Sequence, residues 1–517
     1  MSIPFSFGEI NIDVAPGSER ARATPEPNSP FHIAILGDFS GRANRGIVDD
    51  SARIATRQPV MVDRDNFDEV LAGLGAELNL PARVDGGPST AIHFSELDDF
   101  HPDWLYKRLD VFRHLKELRQ RLSDPSTFAA AAAEMGVEIS PKSRAEPAEL
   151  TPARPTQAPD VSQLLSGSLL DELIEQTEER SSRGSDEWSD FLRRLVAPHL
   201  VPGEHPRQAE LMAQVDKATS REMQALLHHP EFQALEAAWR AVFFLVKRVE
   251  TDTNLKLYLI DISKAELAAD LASKGDLRET GIYRLLVERT VGTPGAPLWS
   301  VLAGNYTFDL TRGDAGLLAR LAAIAQAAGA PFLAAAHPRL LGCESIADVV
   351  HPRTWRRNED TEDARAWRAL RGLPQAAFAG LALPRFLLRL PYGKKTESTE
   401  EFDFEEMPQV AEHECLLWGN PAFACVLLLA EAFAEYQWEM RPGVCQDIEG
   451  LPLFVYEKDG ESFVKPCAEV LLTQQAAERI LEEGLMPLVW FKDQDMVRVA
   501  RFQSIADPLK NLSGHWG

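Results

Sequence analysis

The sequence predicts a mixed α/β fold, in which a small N-terminal α/β unit is joined by a proline-rich linker to a larger α/β region. Two observations support this prediction. From residue 255 onward, short apolar runs alternate with segments of helical periodicity, a pattern typical of α/β folds with parallel strand pairing. A proline-rich stretch at residues 134–166 separates this part from a shorter unit. The 517 residues exceed one hydrophobic core and favour about three domains.

The first 133 residues divide into an arm and the small unit. Residues 1–30 are rich in proline, serine and charge and are predicted to form a mobile arm. Residues 31–133 form the small unit, which begins with an apolar strand at residues 31–36. The loop GDFSGR that follows matches neither glycine pattern of a phosphate-binding loop, so we expect a tight turn.

A long helix is predicted from Pro102 to about residue 123, with lysine and arginine opposite an apolar stripe. Two arrangements are compatible with this pattern. The helix lies solvated on its own small domain, or a partner helix packs on the stripe. The stripe comprises Leu105, Leu109, Phe112, Leu115, Leu118 and Leu122.

Residues 134–166 have the composition of a linker, and residues 167–205 form a linker helix region. A short helix is predicted at residues 168–180, with Ser168 as its N-cap. Such a helix packs on its own domain or docks into a groove of another protein. The side chains that would contact a partner are Leu169, Leu170, Leu173 and Ile174.

Residues 206–517 are predicted to form the large region. Asn420 is placed to cap a helix that starts at Pro421 and is apolar on nearly all sides, so this helix should be buried. A hairpin is expected around Asp459 and Gly460. The alternating pattern predicts strands at residues 255–262, 299–308 and 331–336, and helices at residues 264–272 and 316–328.

The segment PRFLLRLP at residues 384–391 places two arginines in an apolar run between two prolines. A short helix from Pro384 would stack Arg385 and Arg389 at i and i+4, whereas a strand would place them on one face. Guanidinium groups in such surroundings need partners. The acidic residues that follow closely are Glu397, Glu400, Glu401, Asp403, Glu405 and Glu406.

Two hypotheses for Arg385 and Arg389 follow from this pattern. The segment is a half-buried structural element, or it is a surface where one protomer meets another through charge pairs. Residue chemistry alone favours the structural element, because exposed ion pairs contribute little.

Composition excludes several functions. The net charge of −24 argues against nucleic-acid binding. No apolar run is long enough to insert into a membrane, and the N-terminus does not resemble a signal peptide, so we expect a cytoplasmic protein. Five widely spaced cysteines favour neither a disulfide framework nor a zinc site.

Catalytic signatures are also missing from the sequence. There is no nucleophile elbow, metalloprotease motif, Walker A loop or kinase signature. His413 and Cys415 are close in sequence, but Cys415 precedes an apolar run and is expected to be core. We therefore predict no catalytic, cofactor or metal site, and no enzymatic activity.

Several segments together resemble the contractile sheath proteins of bacterial type VI secretion systems. Those of the small unit resemble the small sheath subunit: FHIAILGDFSG at residues 31–41, VDRDNFDEV at 62–70 and FSELDDFHP at 94–102. Those of the large region resemble the large sheath subunit: LLHHPEFQALEAAW at residues 226–239, LALPRFLLRLPYG at 381–393 and HECLLWGN at 413–420.

The resemblance implies a mechanical part. Small and large subunits of such sheaths pair into protomers, which stack around an inner tube. An AAA+ unfoldase dismantles the contracted sheath, and the resemblance assigns its binding to the helix that contains Leu169, Leu170, Leu173 and Ile174. Here both subunits lie in one chain, so the tether at residues 134–166 would fix their ratio at one to one.

One departure from the resemblance concerns the C-terminus. Large subunits normally continue into a further domain, whereas this sequence ends at residue 517. The sequence therefore leaves two alternatives to a polymerising sheath subunit. The first is a related cap, assembly factor or regulator that does not polymerise. The second is a soluble enzyme with an unrecognised site.

Overall fold

A computed structural model describes residues 29–81, 90–137, 208–293, 295–407, 412–458 and 460–516. Most of the predicted arm, most of the linker and the linker helix region at residues 167–205, with its helix at residues 168–180, lie outside these ranges. The helices are α1 Ser51–Thr56, α2 Phe67–Leu74, α3 Pro102–Arg108, α4 Asp110–Ser123, α5 Phe128–Glu134, α6 Gln208–Leu227, α7 Pro230–Arg248, α8 Lys264–Ala272, α9 Gly281–Tyr283, α10 Arg312–Ala328, α11 Glu362–Arg371, α12 Pro421–Tyr436 and α13 Gln474–Glu482.

The strands fall into one large sheet and three small ones. They are β1 Phe31–Gly37, β2 Val60–Val62, β3 Ala76–Leu80, β4 Thr90–Phe94, β5 Leu255–Asp261, β6 Trp299–Phe308, β7 Phe332–Ala336, β8 Ala379–Leu383, β9 Phe386–Leu387, β10 Trp418–Gly419, β11 Asp447–Ile448, β12 Phe454–Lys458, β13 Glu461–Lys465, β14 Met486–Trp490 and β15 Val497–Val499. β3 pairs with β4, β9 with β10, and β12 with β13.

The large sheet has nine strands in the order β11-β15-β14-β8-β7-β6-β1-β5-β2. Its central strands, from β14 to β5, are parallel, and β2, β15 and β11 add antiparallel edges. The predicted alternation of strands and helices and the parallel pairing are confirmed. Helices are needed on both faces, because a parallel sheet is apolar on each side.

Two helical layers cover the sheet. Phe31, Ile33 and Ile35 of β1 point into the core that contains α7 and α12, whereas Ala34 and Leu36 point into the core that contains α8, α10 and α11. This alternation follows from the two-residue period of a strand. Helix α12 is buried over its first ten residues, as its uniformly apolar sequence predicts. The side chain of Asn420 caps it by accepting from the amide of Ala422.

Strand β1 comes from the small unit but lies inside the sheet of the large region. It pairs in parallel with β5 on one side and β6 on the other; Ile33 faces Leu257 of β5 and Val301 of β6. Strand β2 of the small unit then pairs with the outer edge of β5. The predicted ranges 31–133 and 206–517 are thus two stretches of sequence that share one sheet and the cores on both of its faces.

The predicted long helix is wrong in one respect. Leu109 takes an extended backbone conformation, with φ −80° and ψ 134°, and divides the helix into α3 and α4. The predicted apolar stripe is nevertheless buried along its whole length. Its partner is α6 of the same chain, which packs against α4, and Arg119 of α4 forms an ion pair with Asp216 of α6.

Candidate functional site

The loop after β1 is tied to the large region by its backbone. The amides of Phe39 and Ser40 donate to one carboxylate oxygen of Asp261 at 2.8 and 3.1 Å, and the Ser40 hydroxyl donates to the other at 2.7 Å. The indole of Trp239 on α7 donates to the carbonyl of Phe39 at 2.8 Å. These amides are therefore occupied by a carboxylate of the protein itself, which fits the predicted tight turn rather than a phosphate loop.

A cluster of buried ion pairs also joins the loop after β1 to the large region. We call this contact between the small unit and the large region the seam. Glu266 of α8 is fully buried and accepts from Arg42 at 2.8 and 2.9 Å. It also pairs with Arg57, and both arginines bind Asp49 at 2.7–2.8 Å. Burial would raise the pKa of Glu266, but the two guanidinium groups outweigh burial and lower it. Glu266 of the large region and Asp49 of the small unit thus share the two cations Arg42 and Arg57.

The two-arginine segment begins after β8. Residues Leu383 and Pro384 are joined by a cis peptide bond, and β9 follows at once. Of the two predicted conformations, the helix is wrong and the strand is confirmed for Phe386–Leu387. The strand forms because Leu387 and Phe386 pair with Trp418 and Gly419 of β10.

Arg385 and Arg389 bind different carboxylates. The guanidinium of Arg385 contacts Glu469 through Nε at 2.8 Å, and its amide donates to the same side chain at 2.8 Å. Its side chain stays 39% exposed and lies 3.5 Å from Glu414. Burial would lower the pKa of Arg385, but Glu469 raises it. Arg385 therefore remains partly at the surface.

Arg389 is enclosed, with only 5% of its side chain exposed. It binds Glu236 of α7 and Glu406 at 2.7 Å each. Arg240 of α7 shares Glu236 at 2.7 Å and donates to the Tyr392 hydroxyl at 2.8 Å. Burial would raise the pKa of Glu406, but Arg389, together with a side-chain contact from His228 and the Tyr392 amide, lowers it to about 2. Arg389 thus joins α7 to the loop around Glu406.

One of the three carboxylates that bind the two arginines is predicted by the sequence, and two are not. Of the six acidic residues that follow the segment, Glu406 is the one that binds Arg389. Glu236 and Glu469 are distant in sequence. Glu236 did leave a signal, because a carboxylate on the apolar side of α7 between Leu235 and Trp239 requires a buried cation. The assignment of Arg385 and Arg389 to a protomer contact stays a prediction.

His413 and Cys415 do not form a nucleophile pair. Nε2 of His413 lies 3.0 Å from Glu469, and its Nδ1 lies 3.0 Å from Lys465. Cys415 instead donates to Glu412 at 3.7 Å, and burial raises the pKa of its thiol to about 11. Within the described ranges, no group of three or more His, Cys, Asp or Glu residues is arranged to hold a metal ion.

The predicted partner-binding side chains Leu169, Leu170, Leu173 and Ile174 lie outside the described residues. Among the helices that the structure does describe, none is long and apolar enough to cross a bilayer.

The small unit and the large region complete one sheet, and buried ion pairs cross the seam between them. These features define the class of protein: two partner subunits joined in one chain. Comparison with known families identifies the subunits. Residues 209–506, more than half of the chain, match the tail sheath N-terminal domain family, VipB. Residues 9–139 match the type VI secretion system VipA family. The chain belongs to the tail sheath family and carries a VipA region before its sheath domain.

Individual relatives agree with this assignment. Over 304 residues the chain is 34% identical to the type VI secretion system sheath protein TssC1 of Pseudomonas aeruginosa, covering 58% of this chain and 61% of that protein. Over 103 residues it is 28% identical to the sheath protein TssB1 of the same organism, covering 19% of this chain and 58% of that protein. The chain thus spans about three fifths of the length of each relative.

The seam predicts a stability effect for Glu266→Gln. The substitution keeps the shape but removes the buried carboxylate that Arg42 and Arg57 share, leaving them Asp49, with Asp261 4.0 Å from Arg42. It should therefore lower the free energy of unfolding by about 3 kcal/mol. Urea unfolding of purified protein measures this. Glu69→Gln is the control, because Glu69 is also in the first turn of a helix but exposed. A Glu266→Gln change below about 0.5 kcal/mol would show that the cluster does not hold the seam.

The Arg389 cluster predicts a pH-dependent effect for Glu406→Gln. Because the folded pKa of Glu406 is about 2, its stabilisation is present above the unfolded value of about 4.3 and is lost as pH falls towards 2. The free energy of unfolding of the variant should be lower than that of the wild type by about 3 kcal/mol near neutral pH. This difference in stability, which we call the gap, should be smaller near pH 3.

Urea unfolding at both pH values measures this gap. Glu400→Gln, an exposed change in the same loop, should show little gap at either pH. A gap for Glu406→Gln that is the same at both pH values would contradict the assignment of the lowered pKa.

Proposed function

We propose that this chain is a structural protomer of a type VI secretion contractile sheath, in which a small and a large sheath subunit are fused. The observation that supports it best is β1, which lies between β5 and β6. Each of the two regions that match a sheath family completes the other, as expected of one protomer. The proposed role is mechanical rather than enzymatic, and its proposed place is the cytoplasm.

The proposed partners are other sheath protomers, an inner tube protein and an AAA+ unfoldase that recycles the sheath. The unfoldase would bind Leu169, Leu170, Leu173 and Ile174, which precede the first helix of the large region in sequence. A short apolar helix beside a linker suits groove binding.

Arg385 is the member of the arginine pair that fits a contact with a neighbouring protomer. Its side chain is 39% exposed, and that of the adjacent Glu414 is 76% exposed. Arg389, which is enclosed by Glu236 and Glu406, would hold the segment in position from within the chain.

Electron microscopy tests the proposed function directly. The purified chain is imaged alone and after mixing with the inner tube protein of the same secretion system. We expect ring stacks or tubes whose repeat contains one copy of the fused chain, because the tether fixes the ratio of the two regions. Particles of a single chain under every condition, with and without the tube protein, would contradict a polymerising sheath subunit.

A further inference from the structure

A groove of about 720 Å³ opens at the carboxyl ends of β1, β5 and β6. Crevices at this edge of an α/β sheet are where such folds bind other molecules. The small unit and the large region both contribute to it, so it exists only when the two are joined. Its apolar wall includes Ala43, Leu78, Ala234, Leu235, Ala265 and Leu317.

Two carboxylates at the groove have no counter-ion among the residues that the structure describes. Asp38 accepts from the amides of Arg42 and Ala43 at 2.7 and 2.8 Å, and Glu231 contacts the side-chain amide of Asn44. Neither forms an ion pair with a residue in the described part of the chain. Lys264, which also lines the groove, is already neutralised by Asp314 at 2.7 Å. The groove is therefore apolar with a negative rim, which suits a basic apolar segment.

The protein presents a segment of this kind on its own surface. Residues 352–357, PRTWRR, follow β7 and contain two exposed arginines, Arg353 and Arg356, on either side of the half-buried Trp355. Arg356 donates to the carbonyls of Arg353 and Trp355 at 2.8 Å. Neither exposed arginine forms an ion pair with any carboxylate in the ranges that the structure describes.

Arg357 fixes where this segment lies in its own chain. It donates to the carbonyl of Leu340 at 2.6 Å and to Glu483, which follows α13, at 3.1 Å. These contacts attach the segment to elements that do not line the groove. A copy of the segment that enters the groove must therefore come from another molecule.

We propose that the groove receives the segment at residues 352–357 of a second copy of this chain. Arg353 and Arg356 would neutralise Asp38 and Glu231, and the apolar wall would cover Trp355. The inference rests on the proposed function in one respect: that function is the reason to expect a second copy of the chain as the occupant of the groove. Each copy offers one groove and one segment, so the contact can pair two copies or continue along a row.

A charge swap between Glu231 and Arg356 tests this contact. Sedimentation velocity at several protein concentrations gives the self-association constant. Glu231→Arg and Arg356→Glu should each weaken self-association about tenfold, because each places like charges together. The double variant should restore it to within about threefold of the wild type, because the pair is re-formed with the charges exchanged.

Two further comparisons control for folding and for overall charge. Glu69→Arg and Arg278→Glu change exposed residues that do not line the groove or the segment, and should leave self-association unchanged. Ala265→Trp fills the groove, whereas Ala269→Trp adds the same bulk to an exposed position of the same helix outside it. Ala265→Trp alone should weaken self-association.

The outcomes separate this contact from the proposed function. Self-association that both single variants leave intact would overturn the contact and leave the proposed function standing. Loss of tube-protein binding by Ala265→Trp, with self-association preserved, would assign the groove to another protein and overturn the contact. A wild-type chain that never self-associates would overturn both.

Discussion

The fold depends on the pairing of β1 with β5 and β6. A central parallel strand satisfies backbone groups on both of its neighbours, and buried backbone groups without partners are costly. Removing β1 would leave β5 and β6 with facing, unpaired edges in the middle of the sheet. Because β1 lies in the small unit, the large region lacks a complete sheet of its own. The two regions therefore form one structural unit.

Charge reinforces this pairing on the carboxyl side of the sheet. Asp261 and Glu266 of the large region bind the loop after β1 and the cations Arg42 and Arg57. Buried ion pairs add little net stability, since desolvation offsets much of their attraction, although the removal of one partner is costly. We attribute to them the fixing of register and loop position, while apolar burial along β1 supplies most of the driving force.

The local parts of the fold followed from the sequence. The periods of residues 255–336 predict β5, α8, β6 and β7 to within one residue at each end, whereas α10 begins four residues before its predicted start. Each element is set by its own pattern of burial. Helix α12 was equally clear from its N-cap and its apolar composition. The sequence does not decide between a helix and a strand at Phe386–Leu387, because the six residues between the two prolines fit both the helical and the strand period.

Contacts between residues distant in sequence could not be predicted from the sequence. Nothing in FHIAIL indicates that its neighbours are strands more than 200 residues away, since an apolar strand pairs with any compatible edge. The break at Leu109 interrupts a continuous helical stripe that propensity alone would continue, since leucine is a good helix former. Of the nearby acids only Glu406 binds the pair, through Arg389. The other two partners, Glu469 and Glu236, are distant in sequence and are brought close by the tertiary structure.

Cleavage of the linker tests the shared sheet most directly. A protease site is inserted within residues 141–160, the purified chain is cut, and the fragments are followed by gel filtration and urea unfolding; a scrambled site is the control. We predict that the fragments stay together at one to one and unfold in a single transition, because β1 remains between β5 and β6. Fragments that separate, with the larger one still folded alone, would contradict a shared sheet.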